Sequence, residues 1–112
     1  MKTVLTYGLL PVPEEAPTLL KGRPFNSTAI FISWKNIPPS RHKEKLLGYR
    51  IQYRSLWSEI YEEINTTSNL AQDVITQLRP DTAYVIMVNG FNQIGHGPTS
   101  SVLVLKTLSS GK

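Results

Sequence analysis

Apolar residues in this chain return at every second position, and that period limits what it can fold into. Ile30, Ile32 and Trp34 alternate with Phe31 and Ser33; Tyr49, Ile51 and Tyr53 alternate with Arg50, Gln52 and Arg54; Tyr84, Ile86 and Val88 alternate with Val85 and Met87. Successive side chains of a strand leave on opposite faces, so a two-residue repeat lines one face of a sheet. No stretch keeps a helical period beyond two turns. Shorter strands are expected at 18–23, closed by Pro24, and at 57–64, 73–76 and 102–106. Seven short strands with turn signals between them predict an all-β, antiparallel sandwich with one face of each sheet inward. The predicted core is Ile30, Ile32, Trp34, Tyr49, Ile51, Tyr53, Leu78, Tyr84, Ile86 and Val88.

The run Leu78-Arg79-Pro80-Asp81-Thr82-Ala83-Tyr84 opens the strand that carries Tyr84. A Leu-x-Pro-x-Thr-x-Tyr run in that place matches a tyrosine corner, in which the phenol bonds back to the backbone a few residues upstream. Four further pieces stand in order with it: Ile30-x-Ile32-Ser33-Trp34, Pro38-Pro39, Gly48-Tyr49-Arg50-Ile51-Gln52-Tyr53-Arg54, and Asn92-x-x-Gly95-x-Gly97-x-x-Ser100, with Thr107 at the end. Over roughly residues 17 to 107 the chain resembles a fibronectin type III domain. The resemblance implies a seven-stranded, immunoglobulin-like Greek-key β-sandwich. A Trp on the second strand, and no Cys pair, separates it from antibody domains, whose Trp lies on the third strand against a disulfide. Asp73 departs from the family, which often has an aromatic or apolar residue there, and so does Gly90, where Ala is usual. The cytokine-receptor Trp-Ser-x-Trp-Ser signature and an Arg-Gly-Asp in the 95–98 turn are both missing.

The 112 residues suit one domain, 17–107, between an N-terminal tail or linker at 1–16 and a polar tail at 108–112. Three prolines between Pro11 and Pro17 favour an extended spacer. Residues 1–10 lack the hydrophobic region of a signal peptide, and an initiator Met on a piece of a longer protein is the preferred reading. No apolar run approaches the ~20 residues that cross a bilayer, so direct membrane insertion of this domain is not expected. With no Cys, disulfides and thiol chemistry are excluded, and the compartment stays open. The net charge of +4 favours acidic partners, but the basic residues are scattered and carry no nucleic-acid motif.

No catalytic constellation is legible. His42 and His96 lie in different loops without carboxylates at ligand spacing, so no metal site or cofactor is expected. Glu62 and Glu63 are strand neighbours, which point to opposite faces and cannot act as an acid/base couple. Asn26-Ser27-Thr28 and Asn65-Thr66-Thr67 fit the glycan acceptor pattern in predicted turns, so Asn26 and Asn65 are candidate glycosylation sites. Arg41, Lys43 and Lys45 concentrate positive charge in one loop and could meet an anionic partner such as a glycosaminoglycan. A solvated loop tip is the preferred reading there. Of the aromatics outside the core pattern, Tyr61 is expected to be buried, while Trp57 fits either a capped sandwich edge or an exposed anchor for a protein partner. The resemblance implies a non-enzymatic extracellular unit of a multi-domain cell-surface receptor or cell-adhesion protein. Such a unit contacts other proteins and neighbouring domains of its own chain. An intracellular scaffold or muscle-type sandwich is the alternative.

Overall fold

The structure, a computed structural model, describes residues 12–38, 45–67 and 70–110. Eight strands and no helix appear among them: β1 (Thr18–Asn26), β2 (Ala29–Lys35), β3 (Gly48–Ser55), β4 (Glu62–Thr66), β5 (Gln72–Ile75), β6 (Ala83–Phe91), β7 (His96–Thr99) and β8 (Leu103–Lys106). They form two antiparallel sheets. One has the order β1-β2-β5; the other runs β4-β3-β6-β7, with β8 also paired to β6.

Register puts the alternating triplets on facing layers. Ile51 lies opposite Val88 and Tyr53 opposite Ile86 across β3 and β6, while Ile30 lies opposite Ile75 across β2 and β5. Ile30, Ile32, Ile51, Ile75, Ile86 and Val88 are fully excluded from water, and Trp34, Tyr49, Leu78 and Tyr84 are buried with them. Trp34 meets Tyr49 edge to face, with ring centroids 5.2 Å apart. The Tyr49 hydroxyl accepts the Ile37 N–H at 3.0 Å. Tyr53 keeps the inward parity but is only partly buried, because β3 reaches the end of the sandwich there; its ring stands edge-on to Tyr84. Ile37 and Ile75 join the core beyond the predicted set.

Three strand expectations change. Strand β1 continues through Pro24 to Asn26. This is an edge strand, where a missing N–H on the solvent side costs no ladder bond. The segment expected at 57–64 is strand only from Glu62; residues 56–61 form a loop. The last expected strand, 102–106, is there as β8, and His96–Thr99, expected as part of a turn, adds β7 before it with a break between the two, giving eight strands where seven were expected. Ser100 causes the break: its N–H donates to Val88 O at 2.7 Å and its hydroxyl accepts the Val88 N–H at 3.0 Å, so a side chain replaces a ladder bond.

Asp73 takes the position opposite Ile32, half-buried, with its carboxylate accepting the Val74 N–H at 2.7 Å. At Gly90 a Cβ would lie 2.9 Å from Ile37 Cδ1 and 3.0 Å from Leu46 Cδ1. The missing side chain leaves room for Ile37 to reach the core.

Candidate functional site

The two ends of the sandwich are built differently. At one end the tyrosine corner closes the fold. The Tyr84 hydroxyl accepts the Arg79 N–H at 2.8 Å, and the Thr107 hydroxyl donates to Arg79 O at 2.6 Å. One residue is thus gripped on both backbone groups by side chains from β6 and from just past β8. Thr107 also accepts the Thr82 N–H at 3.0 Å. Gln77 and Asp81, on either side of Arg79, have φ of 61° and 50°. The left-handed region disfavours side chains by about 1–2 kcal/mol per residue, so these bonds hold a turn that does not fold easily alone. The outgoing chain is tied in at the same place: Asp81 N–H donates to Leu108 O at 2.9 Å, and Leu108 N–H to Asn26 O at 3.3 Å.

At the other end Asn92 shapes the β6–β7 turn. Its carboxamide oxygen accepts the Ile94 N–H at 2.9 Å and the Gly95 N–H at 3.1 Å. The incoming chain packs beside this turn. Pro13 is fully buried, and a Cβ on Gly97 would lie 2.5 Å from Pro13 O. The chain therefore enters at the turn end of β6 and leaves at its corner end, a strand of nine residues apart.

Between the ends, the outer face of the larger sheet carries a polar stripe. Arg50 Nε donates to Asn89 Oδ1 at 3.1 Å, Asn89 Nδ2 donates to Gly97 O at 3.0 Å, and Arg50 lies 3.5 Å from Glu63. Asn89 has no water contact, so its hydrogen bonds tie β3 to β7 across β6.

A groove of about 670 Å³ opens beside the corner. Arg54, Trp57 and Ile60 form one wall and Gln77, Arg79 and Tyr84 the other. The 56–61 loop is held in shape: Arg54 donates to Ser55 O at 3.3 Å and Ser58 O at 3.1 Å, and the Ser58 hydroxyl accepts the Ile60 N–H at 3.1 Å. The Arg54 guanidinium also lies 5.4 Å from the centroid of the Tyr61 ring. Tyr61 is therefore covered on one face by a cation and otherwise exposed, where burial was expected. Trp57 is 90% exposed and Ile60 73%. Leu56 is also exposed. Sequence patterning leaves the exposure of Trp57 open and places 57–61 in a strand, because the apolar residues of this lip look like those of a strand.

Burial pushes the Tyr49 phenol pKa above its ordinary value, opposed by the Ile37 amide and the Trp34 indole. Tyr53 is also raised, by burial first and then by Glu62 and Tyr84. The Trp34 indole N–H is buried with no acceptor at hydrogen-bonding geometry among the described residues.

The candidate site residues do not converge. Asn26 is exposed as the last residue of β1, just before the two-residue turn to β2, its carboxamide oxygen accepting the Thr28 N–H at 2.9 Å and the Thr28 hydroxyl at 3.3 Å. Asn65 is exposed on β4, paired with Arg50, rather than in a turn. Lys45 is exposed; Arg41 and Lys43 lie outside the described residues. Among the described residues no three His, Cys, Asp or Glu side chains could hold a metal ion, and no helix is long and apolar enough to cross a membrane.

Comparison with known proteins agrees with this geometry. The family model for the fibronectin type III domain matches residues 15–106. Contactin of Drosophila melanogaster is 34% identical over 80% of this chain, and the match takes in 7% of that protein. The cell adhesion molecule Dscam1 of the same organism is 30% identical over 79% of this chain and 5% of its own length. The crystal structure of chicken CNTN1 FN1-FN3 domains superposes with a TM-score of 0.80 at 25% identity, covering 88% of this chain and 33% of that one. The chain thus spans only a small part of the curated relatives it matches, and those relatives include cell-adhesion proteins. With the corner, the buried Trp34, the Asn92 turn and the two-sheet order all in place, the chain belongs to the fibronectin type III family.

Proposed function

We propose that this domain is a non-catalytic, extracellular interaction and spacer unit of a multi-domain cell-adhesion or receptor protein. The observation that carries the reading is the similarity of about four-fifths of the chain to a short stretch of much longer adhesion proteins. The fold supports it physically. A stiff sandwich with entry and exit at opposite ends sets the distance between neighbours, while its sheet faces and loops offer contacts to other proteins. Asn26 and Asn65, both exposed, are the proposed glycan acceptors.

The test is expression of the parent protein in animal cells, with a tag placed in the exposed tail after Leu108. Staining of intact cells by an antibody that cannot enter them, together with glycan mass on the Asn26 or Asn65 peptides, is the expected result. A tag reached only after permeabilisation, on unmodified protein, returns the chain to the intracellular scaffold reading.

A further inference from the structure

We propose that β4 is the one open sheet edge among the described strands, that two copies of this chain pair through it antiparallel about Ile64, and that a bulky group on Asn65 closes it. For the natural group at Asn65 the inference rests on the glycan reading above.

Backbone alternation decides which groups of β4 look outward. Opposed residues of an antiparallel pair are bonded and non-bonded in turn. Leu56 N–H donates to Ala83 O in register with β3 and β6, so Arg54, Gln52 and Arg50 bond to β6. Tyr49, Ile51 and Tyr53 then turn their backbone groups to β4, where they meet Thr66, Ile64 and Glu62. The N–H and C=O of Glu63 and Asn65 face away from β3, along the outer edge of the sheet.

The other edges are obstructed. The Trp34 N–H bond to Ala71 O sets the same alternation in the smaller sheet and puts Val74 N–H on the outer edge of β5, where the Asp73 carboxylate takes it at 2.7 Å. Pro24, with no N–H to offer, falls on the outer edge of β1, and the β1 register slips between Thr18 and Lys21, where Leu19 has φ of 56°. The incoming chain covers β7, with Pro13 against Gly97, and β8 lies against β1. Prolines, bulges, inward charges and covering segments keep sheet edges from pairing. Strand β4 has no proline and an unbroken register.

A second copy fits this edge. A two-fold pairing centred on Ile64 overlaps all five residues of both strands and sets Glu63 of each opposite Asn65 of the other, so the outward groups meet. No like charges then stand opposite: Glu62 faces Thr66, and Glu63, 3.5 Å from Arg50, faces an amide. Centring on Glu63 instead sets carboxylate against carboxylate. Opposed Cβ atoms in such a pair lie about 4.5–5.5 Å apart, which leaves no room for a sugar chain. The acceptor triplet Asn65-Thr66-Thr67 thus stands where a glycan stops the pairing.

The test is the mass in solution of the 112-residue chain made in bacteria, without glycan, by sedimentation over a range of concentrations. The mass should rise with concentration toward twice that of the chain. Asn65→Pro removes an N–H that faces out of its own sheet, so it should stay monomeric with its unfolding midpoint in place. The chain has no Cys, so Asn65→Cys takes a single label. Alkylated with iodoacetamide it should still pair; coupled to a maleimide polyethylene glycol it should not. A chain that is monomeric at every concentration overturns the proposal. Pairing that survives both Asn65→Pro and the polymer also overturns it and assigns the contact to another surface. These masses do not depend on secretion, so an Asn65 found bare in animal cells sinks the glycan reading and is distinguishable from a failure of the edge to pair.

Discussion

Replacing Tyr84 with Phe removes one hydroxyl and leaves the ring packed. In the structure that hydroxyl accepts the Arg79 N–H at 2.8 Å, and the residue is buried. An ordinary intramolecular hydrogen bond contributes about 0.5–1.5 kcal/mol net, and an amide left dry and unpaired costs about 1–3 kcal/mol. Arg79 is an exposed residue beside the open groove and its amide hydrogen bond is only part-buried, so the full cost of a dry, unpaired amide is not expected. We therefore expect a loss of about 1–2 kcal/mol. With an unfolding entropy of about 2.1 cal/mol/K per residue, that lowers the midpoint by about 4–9 °C for a chain of this size.

The stronger test is a cycle with Thr107→Val, which removes the donor to Arg79 O and the acceptor for Thr82 N–H. Tyr84 and Thr107 grip opposite sides of one residue, between two positions at positive φ. Releasing either lets the turn relax and strips value from the other. The double variant should thus lose less than the sum of the singles, by about 0.5–1 kcal/mol. Thermal and urea unfolding of the four proteins supply the numbers. Additivity to within about 0.3 kcal/mol would falsify the view that the corner is one cooperative clamp.

Trp34→Ala should cost about 3–5 kcal/mol, a large part of a total stability of about 5–15 kcal/mol, and so lower the unfolding midpoint steeply; an unmoved midpoint contradicts the core assignment. The folded-state pKa values of Tyr49 and Tyr53 are raised, so the neutral phenols favour the fold. That contribution is fully present below the ordinary value of about 10 and lost as pH rises through the folded values. Urea midpoints should accordingly hold from neutral pH to about 10 and fall above it, and Tyr49→Phe should flatten the fall. Heparin retention, if the basic loop binds anionic sugar, should be salt-sensitive and vanish when Arg41, Lys43 and Lys45 all become Ala. Retention unchanged by that triple substitution removes the glycosaminoglycan reading.

The parts of the fold that show in the sequence are those whose cause is local. Period two fixes which face of β2, β3 and β6 turns inward, and the spacing from Leu78 to Tyr84 fixes the corner. The parts that do not show depend on particular side-chain contacts, near or far along the chain, that no periodicity announces. Residues 56–61 look like strand by content, but Arg54, pinned to Ser55 O and Ser58 O, holds them as a loop. The break between β7 and β8 depends on Ser100 meeting Val88. Ile37 sits alone in sequence and becomes core only because Gly90 leaves it space. The groove needs two walls, one following β3 and one preceding β6, and no local pattern announces that they meet.

In the role proposed, the clamp that closes the fold also carries load. Tension between a unit before this one and a unit after it enters near Pro13 and leaves at Leu108, along the direction of the strands. It pulls β1 along β2 and β8 along β6, ladders whose bonds lie across the strands and must slip together rather than open one at a time. Thr107 stands between that exit and the core, bonded through backbone and side chain to Thr82 and Arg79. Drawing the exit away thus loads the hydrogen bonds of the corner. Tyr84 and Thr107 therefore do more than stabilise a turn. They join the point where force leaves the domain to the strand at the centre of its larger sheet.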